Sequence, residues 1–284
     1  MSADRTFNTW EAAVAWLRQQ PDQAQLVQDC YYDDPLAAAA RRYWHSEEWV
    51  AIRALLGGRT GAALDVGAGR GIASYALAHE GFAVTALEPD PSALVGSGAI
   101  QALATESGLP IQVVQEFSER LPFADGAFDV VFARAVLHHS RDLKAACREF
   151  FRVLKPGGLL VAVREHVISR HADLPLFLEQ HPLHRLYGGE HAYMLGEYVA
   201  ALEDAGLGNP RVLSPWRSPV NFAPYTLETL QQELVRRVPG GRSVLGRVLL
   251  RVLRWPGVWS VLRPALEAVD HRPGRLYSFV VERK

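Results

Sequence analysis

Three histidines in the middle of the chain could do proton chemistry. His138 and His139 are adjacent, and His166 closes the run Arg164-Glu165-His166. A neutral imidazole accepts a proton near neutral pH, and a carboxylate beside it can hold its tautomer. Upstream, Leu64-Asp65-Val66-Gly67-Ala68-Gly69-Arg70-Gly71 sets three glycines at alternate positions behind an acid. Glycine lacks a side chain and adopts backbone angles that other residues resist, so a ligand can lie against such a turn. Glu88, 17 residues after Gly71, could accept hydrogen bonds from both hydroxyls of a ribose. A glycine turn and a later acid together point to a nucleoside site.

These residues need a frame. Ala62 to Val66 predicts a buried strand, and Ile72 to His79 a helix whose amide-rich N-terminus points back at the turn. Further strands are predicted near 82–88, 111–114, 129–134, 158–165 and 210–214, and a last one over 275–283. Helices are predicted near 72–80, 91–106, 142–154 and 195–206. Residues 8 to 56 read as helices with two amphipathic stripes, one on Trp10, Val14, Trp16 and Leu17, the other over Ala37 to Leu56, stopped by Gly57-Gly58. Strands alternating with helices argue for an α/β, doubly wound, mostly parallel sheet covered on both faces. Ligands of such sheets bind at the carboxyl ends of the strands, where all three histidines fall. Strand alternation puts Arg164 and His166 on one face and Glu165 on the other.

A dinucleotide fingerprint requires a small residue where Ile72 stands, so a nicotinamide dehydrogenase is disfavoured. The acid-x-G-x-G-x-G pattern instead resembles the first motif of the class I S-adenosylmethionine-dependent methyltransferases. The run Leu121-Pro122-Phe123-Ala124-Asp125-Gly126-Ala127-Phe128-Asp129-Val130-Val131-Phe132 is similar to that family's approach to its fourth strand. Val136-Leu137-His138-His139 and Arg152-Val153-Leu154-Lys155-Pro156-Gly157-Gly158 resemble the segments that follow. The resemblance spans residues 60 to 166 in order. It implies a Rossmann-like sheet of seven strands, the last antiparallel between two others, and S-adenosylmethionine as cofactor. The residues it assigns to that cofactor are Asp65, Gly67, Ala68, Gly69 and Glu88, with Arg134 closing the fourth strand. Where the family carries an acid and a small residue at the adenine edge, this chain has Phe117-Ser118, with Glu116 before them. Either Phe117 stacks on adenine and the Ser118 amide reads it, or the loop shifts and Glu116 serves.

Methyl transfer from a sulfonium is an in-line displacement, in which alignment and exclusion of water dominate. A hydroxyl acceptor also needs a base. His139 and His166 are the candidate catalytic residues, and His138, Arg164, Tyr187 and His191 the candidate substrate contacts. Transfer to nitrogen or carbon, or a cofactor-binding subunit without catalysis, are the alternative readings. No metal is predicted: His181, His184 and His191 lack a cysteine partner and a His-x-x-x-His pair. Ala133-Arg134-Ala135-Val136 stands where amino-methylating nucleic-acid enzymes carry an Asn-Pro-Pro-Tyr-like motif, which weighs against nucleic acid.

The domain plan is a helical cap over 1–58, a cofactor-binding core over 59–219 with a lid insertion at 166–194, a helical insertion over 220–273, and a last core strand over 274–284. Hydrophobic content of 49% and charged content of 21% suit a globular protein. Two thiols without metal or redox spacing, and no leader-like or membrane-spanning run, predict a cytoplasmic protein. The net charge of −1 hides an asymmetry: residues 209–284 hold 13 Lys and Arg against 5 Asp and Glu, the rest 17 against 26. Between Leu234 and Leu266 lie seven arginines and no acid. Val244, Leu245, Val248, Leu249 and Val252 recur there at helical spacing. Residues 236–263 therefore read as an amphipathic cap on the sheet or on a homodimer partner, or as a contact for an anionic acceptor or a membrane surface. A small molecule is the expected acceptor.

Overall fold

A computed structural model describes residues 6–284. The apolar runs become strands. β1 (Gly61–Val66), β2 (Phe82–Leu87), β3 (Ile111–Val114), β4 (Phe128–Arg134) and β5 (Leu154–Ile168) run parallel. A two-residue strand, β6 (Tyr193–Met194), pairs with the end of β5. With β7 (Arg211–Leu213) and β8 (Arg275–Glu282) the order is 3-2-1-4-5-8-7, and β8 is antiparallel to both neighbours. The sheet thus has eight strands where seven were predicted. The eighth exists because β5 runs on past residue 165, so that Val167 and Ile168 pair with Tyr193 and Met194. His166 consequently stands in the strand and not in the lid.

Fourteen α-helical segments are found among the described residues. α1 (Trp10–Leu17), α2 (Ala24–Asp29), α3 (Leu36–Trp44) and α4 (Glu47–Leu56) precede the sheet. The stripe over Ala37 to Leu56 is two helices because Ser46 caps α4, accepting a hydrogen bond from the Trp49 amide at 3.1 Å. Gly57, at φ +63°, ends α4 in the left-handed conformation. α5 (Ile72–His79) and α6 (Ser97–Ser107) follow β1 and β2. The helix predicted from residue 91 starts at Ser97, because Asp90 and Ser92 accept hydrogen bonds from the Ser92, Leu94 and Val95 amides and hold a turn. α7 (Leu143–Val153), α8 (Leu174–Gln180), α9 (His184–Tyr187) and α10 (Leu195–Asp204) come next. α11 (Pro219–Phe222), α12 (Leu227–Arg237), α13 (Val244–Leu253) and α14 (Pro256–Val269) lie between β7 and β8.

Alternation along the strands feeds two cores. Leu64 and Val131 pack with Phe150 of α7 and Tyr198 of α10. Ala63, Val130 and Phe132 pack on the opposite face with Tyr43 of α3, Trp49 of α4 and Leu77 of α5. α3 and α4 therefore belong to the second face of the sheet. The α12–α14 segment has a small core of its own, with Leu230, Val235, Leu253 and Trp259.

The register sets the site. Val66 lies level with Leu87 on one side and Ala133 on the other. The glycine turn, Glu88 and the segment after β4 therefore emerge at one edge, where the strand order reverses between β1 and β4.

Candidate active site

The candidate cofactor half is built on the turn after β1. Gly67 has φ +59°, and a Cβ there would lie 2.7 Å from a methyl of Val136. Gly69 has φ +55° with open space where its Cβ would be, the shape of a cradle. The Ala68 amide donates to the Leu87 carbonyl at 3.0 Å, locking the turn to β2. Glu88 is buried, and its two oxygens accept from the Gly69 amide at 2.7 Å and the Asp90 amide at 3.0 Å. Its remaining lone pairs suit a pair of ribose hydroxyls. Burial pushes the Glu88 carboxyl up to about 7. Asp65 is buried too, accepts from the Ser74 hydroxyl at 2.6 Å, and is likewise raised by burial to about 7. A cationic ligand group would favour its ionised form. Phe117 is half exposed with the Arg141 guanidinium 5.4 Å over its ring, and the Ser118 hydroxyl donates to Glu119 at 3.2 Å. The donor set and the open turn fit S-adenosylmethionine.

The candidate acceptor half stands on the ends of β4 and β5. Glu165 is fully buried and accepts from the amides of Val136 and His138 and from the His138 Nδ1, the last at 2.7 Å. Burial works against a charge on His138, yet Glu165 and Glu190 raise it to about 9. His139 Nδ1 faces the Gly189 carbonyl at 2.9 Å, and His166 Nδ1 the Gly274 carbonyl at 2.9 Å. The His138 ring lies 4.3 Å from that of His139 and 4.7 Å from that of His166. Glu190, from the lid, reaches into this group. Its carboxylate lies 3.5 Å from His138 Nε2, 3.7 Å from His139 Nε2 and 3.7 Å from His181 Nδ1. One of its oxygens is buried with no hydrogen-bond partner.

Other predicted residues go elsewhere. Arg134 turns to the N-terminal helices and forms a two-point pair with Glu48 of α4, 2.6 and 3.1 Å apart. Arg164 has φ +64° at a bulge in the β5–β8 register, so strand alternation fails there. The shared face predicted for Arg164 and His166 is thereby corrected. The Arg164 guanidinium donates to the Val220 and Ala223 carbonyls near α11, whereas His166 faces His138, Phe177 and His181. Tyr187 is exposed on one side and lies 5.8 Å from the Trp10 ring, joining lid to α1. His191 packs 4.5 Å from Tyr193, off the histidine group.

Three contributors had no sequence signal. Glu48, beside Glu47 in the amphipathic Ala37 to Leu56 stretch, and Glu190, beside His191 in the lid, lie far from the motifs. Arg70 lies within the glycine run, yet its guanidinium donates to the carbonyls of Tyr31 and Asp33 and to Asp34, tying the turn to the N-terminal segment.

Comparison with known proteins gives the lineage. Residues 64–162 match the methyltransferase domain model. A ubiquinone biosynthesis O-methyltransferase of Methylobacterium nodulans is 34% identical over 148 residues, 51% of this chain and 58% of that protein. The chain thus spans less than two thirds of that relative's length. An uncharacterised methyltransferase of Bacillus subtilis, YodH, is 30% identical over 60% of this chain and 70% of its own length. A geranyl diphosphate C-methyltransferase from Streptomyces coelicolor, solved with S-adenosyl-L-homocysteine, shares the fold, with a TM-score of 0.58 and 13% identity over 97% of this chain and 98% of that one. The motif run, the sheet order and these likenesses agree: the chain belongs to the class I S-adenosylmethionine-dependent methyltransferases.

Proposed function

We propose that the chain transfers a methyl group to a hydroxyl oxygen of a small-molecule acceptor, with His139 and His166 as the bases. When bound, S-adenosylmethionine supplies a sulfonium methyl group that an electron-rich atom can displace in line. One observation carries the assignment of the bases. The Nδ1 atoms of His139 and His166 both face backbone carbonyls at 2.9 Å, so in neutral rings these nitrogens hold the hydrogens. Each Nε2 is then a free lone pair able to take the acceptor's proton. His138, locked by Glu165, orients this pair. The likeness to the O-methyltransferase of Methylobacterium nodulans supports oxygen over nitrogen or carbon. His139→Ala and His166→Ala should each lower turnover by about 10²–10⁴ while leaving cofactor affinity nearly intact. Full activity in both variants would leave alignment alone as the catalytic device, and no turnover by the wild type with any acceptor would favour a non-catalytic subunit.

A second observation favours an acceptor met at an anionic membrane surface. α13 and its flank leave Val244, Leu245, Val248 and Trp255 exposed at 64%, 57%, 54% and 69%. Among the described residues Arg242, Arg247 and Arg251 beside them form no ion pair. An apolar strip with unpaired cations suits the headgroup boundary of a bilayer. No helix among the described residues is long and apolar enough to cross one. A homodimer that buries the same strip is the competing arrangement.

A further inference from the structure

We propose that His138, His139 and Glu190 form a site for a divalent transition-metal ion, with zinc as the best-suited ion. Ligand atoms of these three residues lie within 4.8 Å of one another. The Glu190 carboxylate stands 3.5 and 3.7 Å from the two Nε2 atoms. These separations are long for hydrogen bonds. They are close to the edge of a zinc tetrahedron, about 3.3 Å for bonds of about 2.0–2.1 Å. The buried Glu190 oxygen without a hydrogen-bond partner is the second sign. That oxygen faces the His138 imidazolium at 3.5 Å without a hydrogen bond, and a metal ion would complete it by taking the place of the His138 Nε2 proton.

The outer contacts match as well. A metal-bound imidazole characteristically donates its other N–H to a carboxylate or a backbone carbonyl. His138 Nδ1 meets Glu165 at 2.7 Å, and His139 Nδ1 meets the Gly189 carbonyl at 2.9 Å. Both arrangements present Nε2 inward. His166, His181 and Glu190 make a second candidate group on the same carboxylate. There, however, His181 Nδ1 already accepts from the His184 amide at 3.3 Å, so the first group is the better ligand set. Two imidazoles and one carboxylate leave a fourth position open, as in catalytic zinc sites, and are too nitrogen-rich for magnesium.

An acceptor hydroxyl at that position would be polarised and would lose its proton more readily, and the proton would pass to His166, because a metal-bound His139 Nε2 has no lone pair left to act as a base. This role rests on the methyl-transfer reading; the binding of the ion does not.

The test uses the full chain, cleared with a chelator and dialysed. Cobalt(II), followed by its visible absorption, and zinc, followed by calorimetry, should each bind one equivalent. Glu190→Gln and His139→Asn should weaken both metals by tenfold or more, and Glu165→Gln by about 10–100-fold. His181→Asn should leave affinity unchanged. His139 is partly exposed, so its variant keeps the test valid if Glu190→Gln fails to fold. Absence of stoichiometric binding, or binding unchanged in both Glu190→Gln and His139→Asn, would overturn the proposal. S-adenosylhomocysteine affinity, measured on the same samples, reports separately on the methyltransferase reading and should persist in every variant.

Discussion

The affinity of the chain for S-adenosylhomocysteine should depend on pH through Glu88. Its buried carboxyl is raised to about 7, against about 4.3 for an exposed glutamate. In the proposed site ribose hydroxyls would donate to the ionised form, so the ligand and a proton would compete for the same oxygens. The group is ionised above about 7 and protonated below it, so affinity is full at high pH and falls as the solution is acidified. Between pH 8 and pH 6 the ionised fraction of the free protein drops from about 0.9 to about 0.09, a tenfold loss or about 1.4 kcal/mol. Asp65, raised to a similar value, adds to the slope, and an Asp65→Asn variant separates its share. Calorimetry at pH 6, 7 and 8 is the assay. Glu88→Gln should bind about 1.5–3 kcal/mol more weakly at pH 8 and lose most of the pH dependence. A flat wild-type profile, or a Glu88→Gln profile as steep as the wild type, would refute the reasoning.

The same raised pKa makes a stability prediction for the ligand-free chain. An acid whose folded pKa exceeds its unfolded one favours folding at low pH and loses that contribution as pH rises through about 7. Glu88→Gln should therefore raise the melting temperature at pH 8 and change it little at pH 4. Glu48→Ala should destabilise by about 3–5 kcal/mol in urea titration, because it leaves the Arg134 guanidinium buried without its partner; an unchanged midpoint would mean that the pair does not hold α4 to the sheet. Sedimentation with anionic vesicles at low salt should pull down the chain, with neutral vesicles as control and with loss of binding as salt rises. Retention in the supernatant with both, together with a dimer in solution, would assign the α13 strip to a second copy.

Local motifs carried the candidate cofactor half. Asp65, the three glycines and Glu88 lie within one βαβ stretch, so spacing alone brought them together. The acceptor half was legible only as candidates. His138, His139 and His166 do converge, but the group that organises them includes Glu190, which arrives from the lid and carries no pattern of its own. Arg164 misled because a left-handed residue breaks strand alternation, and only the pairing with β8 reveals the bulge. Arg134 and Glu48 are 86 positions apart, beyond any periodicity argument. The two-helix break at Ser46 was readable in principle, since a serine followed by Glu47 and Glu48 is an N-cap signal.

The placement of β8 between β5 and β7 sets the order in which the chain can mature. Leu159 pairs with Glu282, and Val161 with Val280, so one flank of β5 has no strand beside it until residues 275–282 leave the ribosome. Until then that flank offers unpaired amides and carbonyls beside apolar side chains, a template for mispairing. The small core of α12–α14 can collapse meanwhile and shorten the stretch that closure must span. Substitutions in the Leu230–Trp259 cluster would then slow the last step of folding even though none touches the sheet edge.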